Sequence, residues 1–187
     1  MEQLWAPWRL TYITADKPGD KPRAERPTGD RACIFCDKPL KNADEANGIV
    51  ARGESCYVIL NAFPYNNGHL MVVPYRHLSH PAELTADENA ELMRTASRLT
   101  TLLDGIYRPD GYNLGMNVGS AAGAGIAAHL HLHLVPRWNG DTNYMTVIGE
   151  TRILPEMLNH PYQHLRAAMV AENAKHGKAE GNGGGNG

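Results

Sequence analysis

Residues 129–135 read His-Leu-His-Leu-His-Leu-Val. In a strand successive side chains face opposite ways, so this spacing predicts His129, His131 and His133 on one face and three leucines on the other. The outer two histidines then stand about 13 Å apart at ~3.3 Å per residue. The leucine face belongs to a core, and the histidine face must open on a cleft or bind something. As metal ligands, residues two apart lie about 6.5–7 Å from each other at Cα, a span that two ligands of one ion manage but three in a row do not. As catalytic groups, a neutral imidazole attacks a phosphorus or carbonyl centre while a neighbour positions it or protonates the leaving group. An unperturbed pKa of about 6.5 makes both protonation states available near neutrality.

The preceding segment favours the second chemistry. Gly119, Gly123 and Gly125, set among alanines and one serine, expose backbone N–H groups without side-chain obstruction, a nest for phosphate oxygens as charge develops. Such a loop is usually just a turn. Beside a histidine strand it becomes a phosphate site next to a nucleophile, which points to phosphoryl or nucleotidyl transfer. A second cluster, Cys33-Ile34-Phe35-Cys36, reads as metal or redox chemistry or as chance pairing; no βαβ pattern surrounds it to favour a thioredoxin-like motif. A closed structural zinc site needs four N/S ligands.

The elements that must position these groups are legible around them. Gly48–Arg52, Ser55–Leu60, His69–Val73 (stopped by Pro74), Tyr112–Val118 and His129–Val135 read as strands, bounded by turn residues. Thr85 and Glu88 form a capping-box pair. Leu92, Ala96, Leu99, Leu103 and Ile106 then recur at spacings of four and three, one face of a helix that ends near Tyr107 before Pro109 and Gly111. Pro161 at a helix start, with Leu165, Ala168, Met169 and Glu172, predicts a C-terminal helix. The expected fold class is α+β: a mainly antiparallel sheet with a long helix packed on it and a C-terminal helix. The expected organisation is an aromatic arm (4–13) and a charged, Pro-rich linker (14–31), a catalytic domain over 32–150, a helical extension over 151–176 and a disordered Gly-rich tail over 177–187.

Composition narrows the function classes. The chain has 187 residues, 42% apolar, with 18 basic against 20 acidic side chains and a net charge of −2. That length holds one domain with appendages, and the balance does not suggest a partner bound through bulk charge, such as nucleic acid or a membrane surface. No apolar run approaches the ~20 residues of a membrane helix, and the first residues lack a basic segment followed by an apolar core, so a secretory signal is not expected. Three cysteines make no disulfide scaffold. The cytoplasm is the expected location.

The pattern at 129–135 resembles the histidine triad (HIT) family of nucleotidyl hydrolases and transferases. Leu60-Asn61 through Gly68-His69, Val73-Pro74-Tyr75-Arg76-His77 and Pro136-Arg137-Trp138 support the resemblance. Residues 139–145 and Leu4-Trp5-Ala6-Pro7-Trp8-Arg9 are similar to the bacterial branch containing diadenosine-tetraphosphate phosphorylases. The resemblance implies His131 as the nucleophile forming a covalent nucleotidyl-histidine, and His133 as the residue contacting phosphates and leaving group. It implies that Asn61 binds the ribose, that Leu60 and Phe63 flank the base, and that Asn117 and the Gly123–Gly125 loop contact the phosphates. It also implies a structural zinc held by Cys33, Cys36, His77 and His129, no organic cofactor, and a homodimer, which the aromatic arm also suggests. Hydrolases of the family commonly carry Gly-Gln-Ser/Thr where this chain has Gly123-Ala124-Gly125; the missing hydroxyl leaves room for inorganic phosphate as acceptor. The expected reaction is cleavage of diadenosine tetraphosphate with phosphate to ATP and ADP. The alternatives are a hydrolase releasing AMP from dinucleoside polyphosphates or adenylated amines, and a non-catalytic nucleotide-binding protein.

The remaining residues of these types carry plainer expectations. Cys56 reads as a buried apolar residue; His80, His160, His164 and His176 read as surface; Met71, Met93 and Met116 fall on core stripes. His69 is open between a structural and a functional role, and Arg137 and Trp138 between packing and the rim of the site. Trp5 and Trp8 are expected to fix the arm against the domain or a dimer mate.

Overall fold

In a computed structural model that describes residues 33–141 and a helix over 159–180, with that helix's side chains described for 161–173, five strands form one sheet: β1 (Ile49–Arg52), β2 (Cys56–Leu60), β3 (Leu70–Pro74), β4 (Gly111–Met116) and β5 (Leu132–Arg137). Their order is β1-β2-β3-β5-β4, with every neighbouring pair antiparallel. The helices are α1 (Ile34–Asp37), α2 (Asp44–Asn47), α3 (Ala86–Tyr107) and α4 (Asn159–Glu180). The expected α+β class holds. The arm with Trp5 and Trp8, the linker, residues 142–158, the end of the tail and the side chains of His160 and His176 lie outside the described residues.

Helix α3 forms where its local signals put it. The Thr85 hydroxyl accepts the Glu88 N–H at 3.2 Å and the Glu88 carboxylate accepts the Thr85 N–H at 2.8 Å, closing the capping box. Leu92, Ala96, Leu99 and Leu103 are fully buried, each leucine contributing roughly 1.5–3 kcal/mol by leaving water. The helix stops at Arg108, held at φ 47° ahead of Pro109. Met93 departs from its expected core position and is 49% exposed, because it sits one residue off the buried stripe. Helix α4 runs to Glu180, past the expected boundary near residue 176.

The two faces of the sheet are covered differently. Val58, Leu60, Leu70, Val72, Leu132 and Leu134 face α3 and the Tyr162, Leu165 and Met169 side of α4. The opposite face presents Tyr57, Ile59, Met71 and Val73 to Cys33, Phe35 and Cys36 around α1. His133 pairs with Met71 across β3 and β5, and cross-strand partners share a face, so His133 stands on this second side.

The histidine segment is less regular than its alternation suggests. The strand begins at Leu132, not at His129. Continuing the register Val72↔Leu132 would set Leu130 against Pro74, which has no N–H to continue the ladder. The Leu130 N–H turns instead to the Leu78 carbonyl at 2.6 Å. That departure leaves His129 outside the strand, with its ring against Cys33 and Cys36.

Candidate active site

His131 and His133 are 5% and 8% exposed, and their rings meet edge to face at 4.7 Å between centroids. They line one wall of a cavity of about 290 Å³. Leu60, Asn61, Phe63, Gly123 and Gly125 line the same cavity, together with Phe35. Phe63, 85% exposed, stands at its rim. Gly123 takes φ +82°, a turn that a side chain would strain, and a Cβ at either Gly123 or Gly125 would meet nothing within 4 Å. Asn117 does not line this cavity; it lies with His133 on a second one.

The hydrogen bonds fix which ring nitrogen carries each proton. His131 Nδ1 lies 2.9 Å from the His129 carbonyl oxygen. A carbonyl only accepts, so the proton is on Nδ1 and the Nε2 lone pair is left for the cavity. The Tyr65 N–H donates to His69 Nδ1 at 3.0 Å, so His69 carries its proton on Nε2 and donates it to His133 Nδ1 at 2.9 Å. His133 in turn keeps a proton on Nε2. Burial holds the His131 pKa below the usual imidazole value, partly opposed by its bond to the His129 carbonyl. Burial, then the nearby His131, pushes His133 down to about 4. Both rings are therefore neutral at pH 7, one presenting a lone pair and the other an N–H.

His69 was open in the sequence and is the fourth histidine of this group. It is fully buried, it leads into β3, and Gly68 before it sits at φ +69°, where an added Cβ would meet the Tyr107 ring at 3.0 Å. Asn61 braces the same turn: its amide oxygen accepts the Phe63 N–H at 3.0 Å and its amide nitrogen lies 3.3 Å from His69 Nδ1. Phe35 carried no signal beyond its place inside the cysteine pair, yet its ring packs at 5.1 Å on His131 and 5.6 Å on His129.

The second cluster lies on the same side of the sheet, around Phe35. The candidate ligand atoms of Cys33, Cys36, His77 and His129 are all within 4.8 Å of one another. His129 Nδ1 is 3.3 Å from Cys33 Sγ and 3.5 Å from Cys36 Sγ, and His77 Nδ1 is 3.3 Å from Cys36 Sγ. Zinc bonds of about 2.3 Å to sulfur and 2.0–2.1 Å to nitrogen at a tetrahedral angle would separate such pairs by roughly 3.6 Å. His129 Nε2 donates to the Pro74 carbonyl at 2.9 Å, which fixes the Nδ1 lone pair toward the two thiols, the outer-shell contact that metal-binding histidines need. The four residues fit a metal ion.

The other expectations resolve simply. Cys56 is 2% exposed and its thiol is pushed up to about 12 by burial and then by Glu91, so it is inert. His164 is exposed. His80 is half-buried, because its Nδ1 accepts the Ala82 N–H and caps the turn Pro81–Glu83. Arg137 is held in a bidentate pair by Asp141 at 2.6 and 2.7 Å.

Residues 43–140 match the HIT domain family. The chain is 42% identical over 158 residues, 84% of its own length and 79% of the relative's, to the AP-4-A phosphorylase of Mycobacterium tuberculosis strain H37Rv. Its structure is similar to that of a zinc-bound histidine triad family protein from Mycobacterium smegmatis, with a TM-score of 0.61, 26% identity and coverage of 76% of this chain and 96% of that one. A hypothetical histidine triad nucleotide-binding protein from Sulfolobus tokodaii aligns with a TM-score of 0.59, 26% identity and coverage of 74% and 93%. A family match across more than half of the sequence that takes in all three triad histidines, joined to a relative alike through most of both chains, makes this chain a member of the histidine triad family.

Proposed function

We propose that the protein is a nucleotidyltransferase that cleaves diadenosine tetraphosphate with inorganic phosphate, giving ATP and ADP. The observation that carries this reading is His131, neutral and with its Nε2 lone pair turned to a cavity flanked by the Gly123–Gly125 loop. The AP-4-A phosphorylase relative supports the substrate. In the first step His131 Nε2 attacks the phosphorus nearest one adenosine. The P–O bond to the rest of the chain breaks, and ATP leaves with that electron pair while its bridging oxygen takes a hydrogen bond from His133 Nε2–H. The His129 carbonyl, holding Nδ1–H, steadies the positive charge on the adenylylated ring, which keeps that ring a good leaving group. In the second step an oxygen of inorganic phosphate attacks the same phosphorus, the P–N bond breaks, and ADP and neutral His131 result. Leu60 and Phe63 would flank the base, Asn61 would meet the ribose with the remaining lone pair of its amide oxygen, and Asn117 and the glycine loop would meet the phosphate chain.

Cys33, Cys36, His77 and His129 would hold a zinc ion. Bound there, zinc supplies a structural brace to the start of the histidine segment and takes no part in bond making. We include in the proposal a homodimer, for which the outer edge of β4, which pairs with no other strand among the described residues, offers a template, and a cytoplasmic setting, in which Cys33 and Cys36 stay reduced. Among the described residues no helix is long and apolar enough to cross a membrane.

The test is product analysis with diadenosine tetraphosphate, with and without inorganic phosphate. ATP plus ADP, formed only with phosphate, is the expected result. ATP plus AMP formed without phosphate would make the protein a hydrolase.

A further inference from the structure

His133 and Tyr65 each line two cavities. On one side is the apolar cavity with Leu60, Phe63 and His131. On the other, a second cavity of about 370 Å³ opens over β4, within the range of small-molecule sites. Gly115 lies against its floor and is paired with His133 in the sheet register. Cross-strand partners share a face, so a side chain at 115 would stand beside His133, and glycine leaves that space open. Asn113 and Asn117 flank Gly115 at a spacing of two, on the same face, and both line the cavity.

The lining sets amides beside the apolar surface of Tyr65, Leu114 and Val135 and carries no uncompensated charge. Arg137 and Asp141 satisfy each other's charge in a bidentate pair; Arg137 also donates to the Asn113 amide oxygen, and Asn66 donates to Asp141 at 2.7 Å. A phosphate chain calls for uncompensated cations or a nest of N–H groups, and this wall offers neither. It offers side-chain amides, the groups that pair with the donor and acceptor edges of a nucleobase. Nucleotidyl transfer to His131 sets the transferred nucleoside in the apolar cavity and draws on this one only through His133 and Asn117, leaving Asn66, Asn113 and Gly115 without a role. A third cavity, near Lys38 and Tyr162, shares Leu60 and Asn61 with the apolar cavity but neither His131 nor His133. It therefore adjoins the nucleoside end of the site, away from the path of the phosphate chain.

We propose that the cavity beyond His133 seats the leaving nucleoside, the second nucleoside of a dinucleoside polyphosphate whose phosphate chain passes over His133 and Gly115. The inference rests on the nucleotidyl-transfer reading and adds to it the half of the substrate that departs. It makes the enzyme selective for a substrate with a nucleoside at both ends.

Binding to a His131→Asn protein, in which no covalent intermediate forms, tests it by calorimetry with AMP and with diadenosine tetraphosphate. Gly115→Val fills the floor: a Cβ there meets nothing within 4 Å, and valine suits a strand. The expected result is a loss of about tenfold or more in affinity for the dinucleotide with less than about twofold change for AMP. Asn113→Ala, at an exposed position, removes one amide and should give a smaller loss with the same selectivity. Equal losses for both ligands, or undiminished dinucleotide binding in both variants, would overturn the subsite alone. Failure of the His131→Asn protein to bind either ligand would overturn the nucleotidyl-transfer reading and the subsite with it.

Discussion

His131 Nδ1 donates to the main-chain carbonyl of His129 at 2.9 Å, while the side chain of His129 faces away toward Cys33 and Cys36. One residue thus holds the proposed nucleophile's tautomer with its backbone and belongs to the candidate metal cluster with its ring. Both rings pack on Phe35, which stands between the two clusters.

Replacing the proposed nucleophile should abolish turnover. His131→Ala is expected to lower kcat for phosphate-dependent release of ATP and ADP by at least about a thousandfold, the scale on which loss of a covalent nucleophile acts. Rapid quenching of the unaltered protein with radiolabelled diadenosine tetraphosphate, without phosphate, should trap adenylylated protein that is acid-labile, as P–N bonds are. Residual turnover within tenfold of the original, or no trapped label, would refute the covalent route.

His69 sets the tautomer of His133 and should act on rate more than on binding. His69→Leu leaves His133 Nδ1 and the Tyr65 N–H without their partner, a stability cost of about 1–3 kcal/mol, and frees His133 to turn its lone pair to the leaving oxygen. The expected kinetic result is a fall of about 10–100-fold in kcat with KM for the dinucleotide nearly unchanged. His69→Gln, whose amide can still donate, should recover part of it. A change confined to KM would rule out this positioning role.

The cysteine–histidine cluster predicts about one zinc per chain after purification without chelators. Cys36→Ser should lose the metal and lower Tm, and prolonged chelation should do the same to the unaltered protein. Activity should fall with the order of the histidine segment and return on adding zinc. Metal analysis well below one zinc per chain would remove the brace from the mechanism.

Most of the framework was legible because its signals are local. Thr85 and Glu88 with the Leu92–Leu103 stripe state α3 within one stretch of chain, and the centres of β1, β2 and β3 lie inside runs of apolar residues. What escaped was set by partners far along the sequence. The start of β5 depends on Pro74, opposite Leu130. The role of His69 depends on a ring carried by β5. The helices α1 and α2 are a single turn each, too short to show a period. His77 and His129 were matched to the cysteines by resemblance, since spacing along a chain does not say which distant ligands meet. Asn113, Gly115 and Asn117 carried a period of two, but only the register with His133 gives it meaning.

The capping box has a consequence for pH. The Arg76 guanidinium, then the bonds from Thr85, hold Glu88 at about 2 against an ordinary 4.5, and Arg76 belongs to the segment that carries His77. A carboxylate depressed in the folded state stabilises it above the unfolded value, and that stabilisation is lost as pH falls from about 4.5 toward 2. Thr85→Ala should cost about 1 kcal/mol at neutral pH. Glu88→Gln should lower Tm at pH 7 and flatten its fall through the acid range. An unchanged acid slope in thermal melts would show that other groups carry it.

The glycine loop decides between phosphate and water as the second acceptor. Gly125 lines the cavity beside His131, and a Cβ built there meets nothing within 4 Å, so Gly125→Ser adds a hydroxyl without displacing a neighbour. The hydroxyl would stand among the N–H groups that face the phosphates, taking up the room proposed for the incoming phosphate and offering a hydrogen bond to the transferred one. The expected outcome is a KM for inorganic phosphate raised by about tenfold, with AMP appearing as a product when phosphate is low. KM for the dinucleotide should move little, since the base is flanked by Leu60 and Phe63. If the phosphate dependence is the same in the serine variant, the room left at Gly125 does not select the acceptor, and the choice lies with groups on the far side of His133.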